Sequence, residues 1–175
     1  RALAALDAIL VRQKMWPELA ENLEEQLALT SDDQAQLALM LRLAALRESE
    51  MAQVETAIEG YRSVLDRDPN NEQALAALER LGQMPEHELA IAEILEPLYR
   101  HLGDHAKLIG VHEVQVRRAD DAPRKVELLH QVAQLYEDAA GDLNQAFATY
   151  ARALKEDAAS EETQQQLERV ARATR

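Results

Sequence analysis

An internal repeat constrains this chain more than any other feature of its sequence. At a shift of 89 residues the chain aligns with itself from end to end without a gap. Internal repetition is typical of architectures in which one helical or strand unit stacks on its neighbours. The identical pairs fall mostly on apolar positions at helical spacing and include Leu19 with Leu108, Leu39 with Leu128, Ala44 with Ala133, Leu46 with Leu135, Ala57 with Ala146, Tyr61 with Tyr150, and Leu78-Glu79-Arg80 with Leu167-Glu168-Arg169. We predict two copies of one unit, residues 1–89 and 90–175, cut from a longer array.

The composition predicts that these units are helical. Ala and Leu dominate, aromatic residues make up only 3%, and there are 5 Gly, 5 Pro and no Cys. Val, Ile and Thr are too sparse to fill a sheet. Each copy has room for two helical hairpins and one extra helix, at residues 71–82 and 160–173. We therefore expect an all-α fold of about ten helices, in which short turns make successive helices antiparallel neighbours.

Amphipathic spacing and turn residues predict the details of these helices. Ser31 followed by Gln34 has the form of a capping box. Gly103-Asp104 and Gly141-Asp142 have the form of turns, with Gly for a left-handed backbone and Asp for the next cap. One helix of the second copy carries apolar residues at three- and four-residue steps, which predicts a buried stripe of Leu143, Ala146, Phe147, Tyr150 and Leu154.

These motifs resemble the tetratricopeptide repeat family. The best match is Leu129-x-x-Val132-Ala133-x-x-Tyr136, followed by Gly141-Asp142 and then by Ala146-x-x-x-Tyr150-x-x-Ala153. The first copy is similar, although Arg47 stands where Tyr136 does, and the chain also looks like segments of long tandem-repeat bacterial proteins. The resemblance implies a right-handed α-α superhelix, or solenoid, that binds peptides or proteins on its concave face and has no catalysis of its own.

Charge and motif content argue against several classes of function. The net charge of −13 disfavours nucleic acid, because affinity for phosphate backbones comes from Lys and Arg. No apolar run is long enough to insert into a membrane. We find no phosphate loop and no nucleophile beside a base, so we expect no enzyme and no cofactor. No secretion signal is visible, which slightly favours the cytoplasm, while the lack of Cys fits oxidising and reducing compartments alike.

The histidines are the remaining candidates for chemistry. His101 and His105 have the spacing of two metal ligands on one helix, but Gly103-Asp104 interrupts that helix, so we favour a solvated turn. Glu127-x-x-His130 is half of a carboxylate-bridged di-iron motif whose second half is absent from the chain. His112 takes the position of an apolar residue of the first copy, which predicts a partly buried side chain. We therefore expect no metal site.

The resemblance places a binding surface on the first helix of each hairpin. Positions that the core leaves free there are Glu127, His130, Gln134, Glu137 and Asp138 in the second copy, and Leu41, Ala45 and Glu48 in the first, with Ala38 and Ser49 beside them. One set is polar and acidic and the other mostly apolar. We expect a protein or peptide partner that carries basic and hydrophobic groups.

Two functions remain open at this stage. The chain is either a scaffold that recruits another polypeptide or a structural spacer whose repeats stack on further repeats, with end-to-end self-association and no foreign ligand. The recruiting scaffold is the favoured hypothesis.

Overall fold

The computed structural model describes the backbone of residues 2–174 and the side chains of residues 6–174. Within that range all regular structure is helical and there are ten helices, which confirms the predicted all-α fold. They are α1 (Ala2–Gln13), α2 (Trp16–Leu29), α3 (Asp33–Ser49), α4 (Val54–Arg67), α5 (Glu72–Leu81), α6 (Glu88–Leu102), α7 (His105–Arg118), α8 (Ala122–Asp138), α9 (Leu143–Glu156) and α10 (Glu161–Ala173).

The helices form two compact units. Unit 1 is Arg1–Leu81 with α1 to α5, and unit 2 is Gly82–Arg175 with α6 to α10. Unit 2 thus begins before residue 90, because the turn that precedes α6 is fixed to α7: Arg118 donates a hydrogen bond of 3.0 Å to the carbonyl of Pro85. The superhelix across both units stays a prediction.

Side-chain contacts within unit 2 define how its helices run. The ammonium of Lys125, near the start of α8, lies 3.8 Å from the carboxylate of Glu156 at the end of α9. The hydroxyl of Tyr150, in α9, donates a hydrogen bond to Glu137 near the end of α8. The two helices are therefore antiparallel. In contrast, α10 runs parallel to α8, since Thr163 near its start meets His130 and Arg169 further along meets Glu137. The predicted antiparallel helical hairpin is thus confirmed for α8 and α9.

Aspartate side chains cap several helices. Asp104 accepts from the N–H of Lys107 at 3.1 Å and Asp142 from that of Gln145 at 3.0 Å, as predicted. At α3 the prediction is wrong by one residue. Asp32, rather than Ser31, is the cap and accepts from the N–H of Ala35 at 2.7 Å, because α3 begins at residue 33 and places the free N–H there.

The core stripe of α9 is displaced around the helix from its predicted position. Ala146 and Tyr150 are buried, Leu143 and Leu154 are half-buried, and the buried Thr149 and Ala153 complete the stripe. The prediction that Phe147 belongs to the core is wrong, because its side chain is 41% exposed. Its position around the helix places it at the edge of the buried stripe, whatever the size of its side chain. Its counterpart in unit 1, Ile58, is 5% exposed.

Buried polar contacts join the first two helices of each unit. In unit 1, Asp7 accepts hydrogen bonds from Asn22 and from Gln26, the latter at 2.9 Å, and pairs with Arg42 of α3. Unit 2 has a related arrangement, in which Glu96 accepts from Gln115 at 2.7 Å, and Gln115 lies 2.9 Å from Nδ1 of His112. His112 is 1% exposed, so it is buried more completely than predicted. Each first hairpin thus has a polar contact inside its interface.

Candidate functional site

Each unit contains one groove in the same structural place. We call the groove of unit 1 the α3 groove and that of unit 2 the α8 groove, and their volumes are about 700 and 720 Å³. The α3 groove is lined by Gln34, Leu37, Ala38, Leu41, Arg42, Ala45, Tyr61, Asp68, Asn70, Asn71, Glu72 and Gln73. The α8 groove is lined by Ala122, Pro123, Val126, Glu127, His130, Gln131, Gln134, Glu156, Asp157 and Glu162. Most lining positions correspond at the 89-residue shift.

Local turn chemistry shapes the far wall of each groove. In unit 1, Asn71 accepts from the N–H of Ala74 at 3.1 Å and donates to Asp68 at 3.1 Å, which fixes the turn that leads into α5. In unit 2, Ser160 accepts from the N–H of Thr163 at 3.2 Å, and Asp157 accepts from that of Ala159 at 3.0 Å. These caps hold the start of α5 and of α10 beside α3 and α8.

The structure distributes the predicted site residues over these features. Leu41 and Ala45 line the α3 groove. Glu127, His130 and Gln134 line the α8 groove. The structure therefore brings together each of these two sets within its own unit.

The other three predicted site residues lie elsewhere. Asp138 lines a separate cavity of about 370 Å³, to which Gln134 also contributes. Glu48 and Glu137 are in contacts within their own units, where each carboxylate accepts hydrogen bonds from a tyrosine and an arginine.

These carboxylates belong to a repeated Tyr–Glu–Arg clamp. In unit 1, Tyr61 donates to Glu48 at 2.8 Å, and Arg80 pairs with the other oxygen of Glu48 at 2.6 Å. In unit 2 the clamp is formed by Tyr150, Glu137 and Arg169. There Tyr150 donates at 3.0 Å and Arg169 binds both carboxylate oxygens at 2.7 Å. Each clamp joins three helices of its unit, so its carboxylate is already satisfied.

The clamps shift the ionisation of their members. Burial, reinforced by the hydrogen bond to Glu137, raises the pKa of Tyr150 to about 12. Burial and Glu48 likewise raise the pKa of Tyr61. The hydrogen bonds from Arg169 lower the pKa of Glu137, against the opposing effect of its burial. At neutral pH each tyrosine is therefore a neutral donor, and Glu137 is an ionised acceptor.

His130 lies at the base of the α8 groove. Its Nε2 is 2.8 Å from the hydroxyl of Thr163, its Nδ1 is 3.9 Å from Glu162, and its ring meets that of Tyr150 edge-on at 5.3 Å between centroids. The side chain is only 12% exposed, so the ring forms part of the groove floor. His130 is therefore held in place by contacts from α9 and α10.

The two grooves differ in charge. Four carboxylates line the α8 groove, those of Glu127, Glu156, Asp157 and Glu162, and its described lining contains neither Lys nor Arg. The α3 groove contains Arg42 and presents Leu37, Ala38, Leu41 and Ala45 on its helical wall. The first is an acidic cleft, and the second has an apolar wall with polar residues opposite.

Candidate metal ligands are not clustered in the part of the chain that the structure describes. No group of three or more His, Asp or Glu side chains is placed to hold a metal ion among those residues. His101 and His105 lie on different helices, separated by the left-handed Gly103. No described helix is both long and apolar enough to cross a bilayer.

Sequence reasoning missed the wall that α5 and α10 contribute. Asp68 and Asp157 are identical across the copies and were available as a signal, and so were Glu72 and Glu161. The shared spacing does not reveal that the turn before each of these helices faces the groove, because this depends on how three helices pack. Glu48 and Glu137 are also identical across the copies, and that identity fits a shared structural contact.

The chain resembles a solved structure in its arrangement of helices but matches no family model. No family model matches the chain, and no curated protein matches it. A solved structure, of a thermophilic TPR protein from Thermus thermophilus, is similar with 17% identity, a TM-score of 0.39 and 97% coverage of both chains. At that overlap the likeness identifies neither a function nor a partner, and the fold rests on the helices of this chain.

Proposed function

We propose that this chain is a protein-interaction scaffold whose α3 and α8 grooves each dock a peptide segment of a partner. The observation that carries the proposal is the recurrence of one groove, at corresponding positions, in both units. Volumes of about 700 Å³ are in the range that accommodates several side chains. A groove beside a rigid helix can order a peptide without moving the framework around it.

The sequence of α3 adds support. Leu43, Ala44 and Leu46 face the core, while Leu41 and Ala45 line the groove on the other side of the same helix. A helix that is apolar on both sides is normally covered on both sides. The groove side of α3 is open among the described residues, so a partner with apolar side chains would gain by covering it.

Peptide selection followed by groove filling tests this function. Random peptides of about 12 residues are selected against the chain, and their affinities are measured for Ala45→Trp and Gln134→Trp, which fill corresponding positions of the two grooves. We expect each selected peptide to lose roughly tenfold or more in affinity with one of these variants, because the indole occupies its site.

Matched controls are Glu59→Trp and Ala148→Trp, which correspond to each other at the 89-residue shift and are exposed outside both grooves. These should bind peptides as the unmodified chain does. Peptides that tolerate both groove variants would place binding on another surface. A selection that yields no binding peptide would contradict the docking function.

Exposed apolar side chains on α1 support the second candidate, a spacer that self-associates. Leu6, Ile9 and Val11 are 41%, 53% and 43% exposed. Under this alternative the chain sediments as larger species with rising concentration, and Ile9→Lys abolishes that behaviour. A monomer at all concentrations would exclude it.

A further inference from the structure

We propose that the α8 groove selects a basic peptide segment and holds a Lys or Arg side chain among its carboxylates. This inference rests on the docking function proposed above and specifies the partner of one of the two grooves. It distinguishes the α8 groove from the α3 groove, which has the same place in its unit and a different chemistry.

The charges around the α8 groove favour a cation. Of the four lining carboxylates, Glu127 has a neighbouring cation in Arg124 at 2.7 Å and Glu156 has one in Lys125 at 3.8 Å. The side chain of Asp157 accepts only a backbone hydrogen bond from Ala159 among the contacts described. With both neighbouring cations counted, two negative charges remain, and a ligand cation would reduce their mutual repulsion.

Glu162 is the carboxylate most available to a ligand. Its side chain is 76% exposed, and the nearest ionisable partner described for it is His130 at 3.9 Å. Because the imidazole is anchored by Thr163 on its other nitrogen, it keeps its place when Glu162 turns towards a ligand. A ligand ammonium or guanidinium can therefore bind Glu162 without breaking a strong ion pair.

The rest of the groove suits the stem of a long basic side chain. Ala122, Pro123 and Val126 line it with apolar surface beside the carboxylates. Lys and Arg bury their methylene stems on apolar surface while their charged ends keep polar contacts. A volume of about 720 Å³ also leaves space for neighbouring residues of the same segment, which favours a peptide over a single free cation.

The α3 groove is a natural comparison. Ala38, Leu41 and Ala45 take the positions of Glu127, His130 and Gln134, so one acidic and two polar residues are replaced by apolar ones. Gln73 replaces Glu162, and Arg42 replaces Gln131. The basic selectivity is therefore expected in unit 2 alone.

Two labelled peptides test the proposal by fluorescence anisotropy at an ionic strength of about 0.15 M, where exposed charges more than about 8 Å apart are largely screened. One is a peptide of about 12 residues with Leu, Ala and three Lys, and the other has Gln at the three Lys positions. We expect the Lys peptide to bind the unmodified chain roughly tenfold more tightly, and Gln134→Trp to abolish the difference. The double variant Glu127→Gln/Glu162→Gln should weaken the Lys peptide roughly three- to tenfold.

A second double variant separates local contact from overall charge. Glu161→Gln/Glu168→Gln removes the same charge from exposed positions of α10 outside the groove, and it should change the affinity less than about twofold. Equal effects of both double variants would overturn the proposal in favour of a diffuse charge effect. Equal binding of the two peptides, still blocked by Gln134→Trp, would overturn only the basic selectivity. If neither peptide binds and selection also yields none, the docking function itself fails.

Discussion

The two units have the same Tyr–Glu–Arg clamp but different grooves. The helices that supply the clamp glutamates, α3 in unit 1 and α8 in unit 2, carry different residues on the side that lines the groove. Glu48 and Glu137 occupy corresponding places in the framework. Towards the groove, the same helices present Ala38, Leu41 and Ala45 in unit 1 against Glu127, His130 and Gln134 in unit 2. The copies have therefore kept the contacts that join three helices and have diverged along the groove, where only unit 2 has a histidine, His130, that contacts Thr163 and Tyr150.

The largest expected difference between the units concerns the core. Ile58→Ala should destabilise the chain by about 2–5 kcal/mol, because Ile58 is 5% exposed and its removal leaves a cavity. Phe147→Ala, at the corresponding position, should cost only about 1 kcal/mol, because that ring is 41% exposed. Urea unfolding followed by far-UV circular dichroism measures both. An equal loss of stability in the two variants would mean that α4 and α9 are packed alike in their units, which would contradict the prediction.

The clamps should contribute less. Glu137→Gln and Glu48→Gln are each expected to cost about 1–2 kcal/mol at pH 7, because a charged, hydrogen-bonded acceptor becomes neutral. The exposed Glu168→Gln is the control and should have almost no effect, since its pair with Arg172 is exposed at both ends. If only one clamp variant destabilises the chain, the two clamps do not contribute equally to the free energy of unfolding.

The clamp of unit 2 also predicts a pH dependence. Arg169 lowers the pKa of Glu137 in the folded chain, so the ionised form stabilises the fold. That contribution is complete above the unfolded-state pKa of about 4.3 and is lost as the pH falls through the lower folded-state pKa. The stability difference between the unmodified chain and Glu137→Gln should therefore be full at about pH 6 to 7 and shrink below about pH 4. A difference that grew on acidification would contradict the assigned direction.

The smallest expected effect is a transfer of groove chemistry. Ala38→Glu/Leu41→His/Ala45→Gln gives the α3 groove three residues of the α8 groove. With the α8 groove blocked by Gln134→Trp, this triple variant should bind the Lys peptide roughly threefold more tightly than its parent, about 0.7 kcal/mol. The control Ala38→Gln/Leu41→His/Ala45→Gln adds the same shapes without the carboxylate. A similar gain in the control would attribute the effect to polarity rather than charge.

The sequence is sufficient to predict the features that depend on residue spacing within one helix or on a repeat along the chain. Self-alignment predicts the two copies, composition predicts that they are helical, and the Gly-Asp turns predict the caps at Asp104 and Asp142. Phe147 is misplaced because periodicity gives the angle of a side chain on its helix but not how far the neighbouring helices extend over it. Glu137 is assigned to a binding surface because its partner Arg169 lies two helices further along, where spacing within one helix gives no information. Leu41 and Ala45 on α3 and Glu127, His130 and Gln134 on α8, which the sequence places on exposed positions of these helices, line the grooves, whereas the opposite walls depend on the packing of three helices.

The polar contacts inside the first hairpins bear on how two similar copies avoid exchanging helices while they fold. In unit 1, Asn22 and Gln26 both donate to Asp7, whereas the corresponding positions in unit 2 are Val111 and Gln115, with Glu96 as acceptor. If α7 paired with α1 instead of α6, Val111 would take the place of Asn22 and offer Asp7 no hydrogen-bond donor. An amide or carboxylate stranded in an apolar interface is costly, so we expect these few atoms to favour the correct partner over its near-duplicate during assembly.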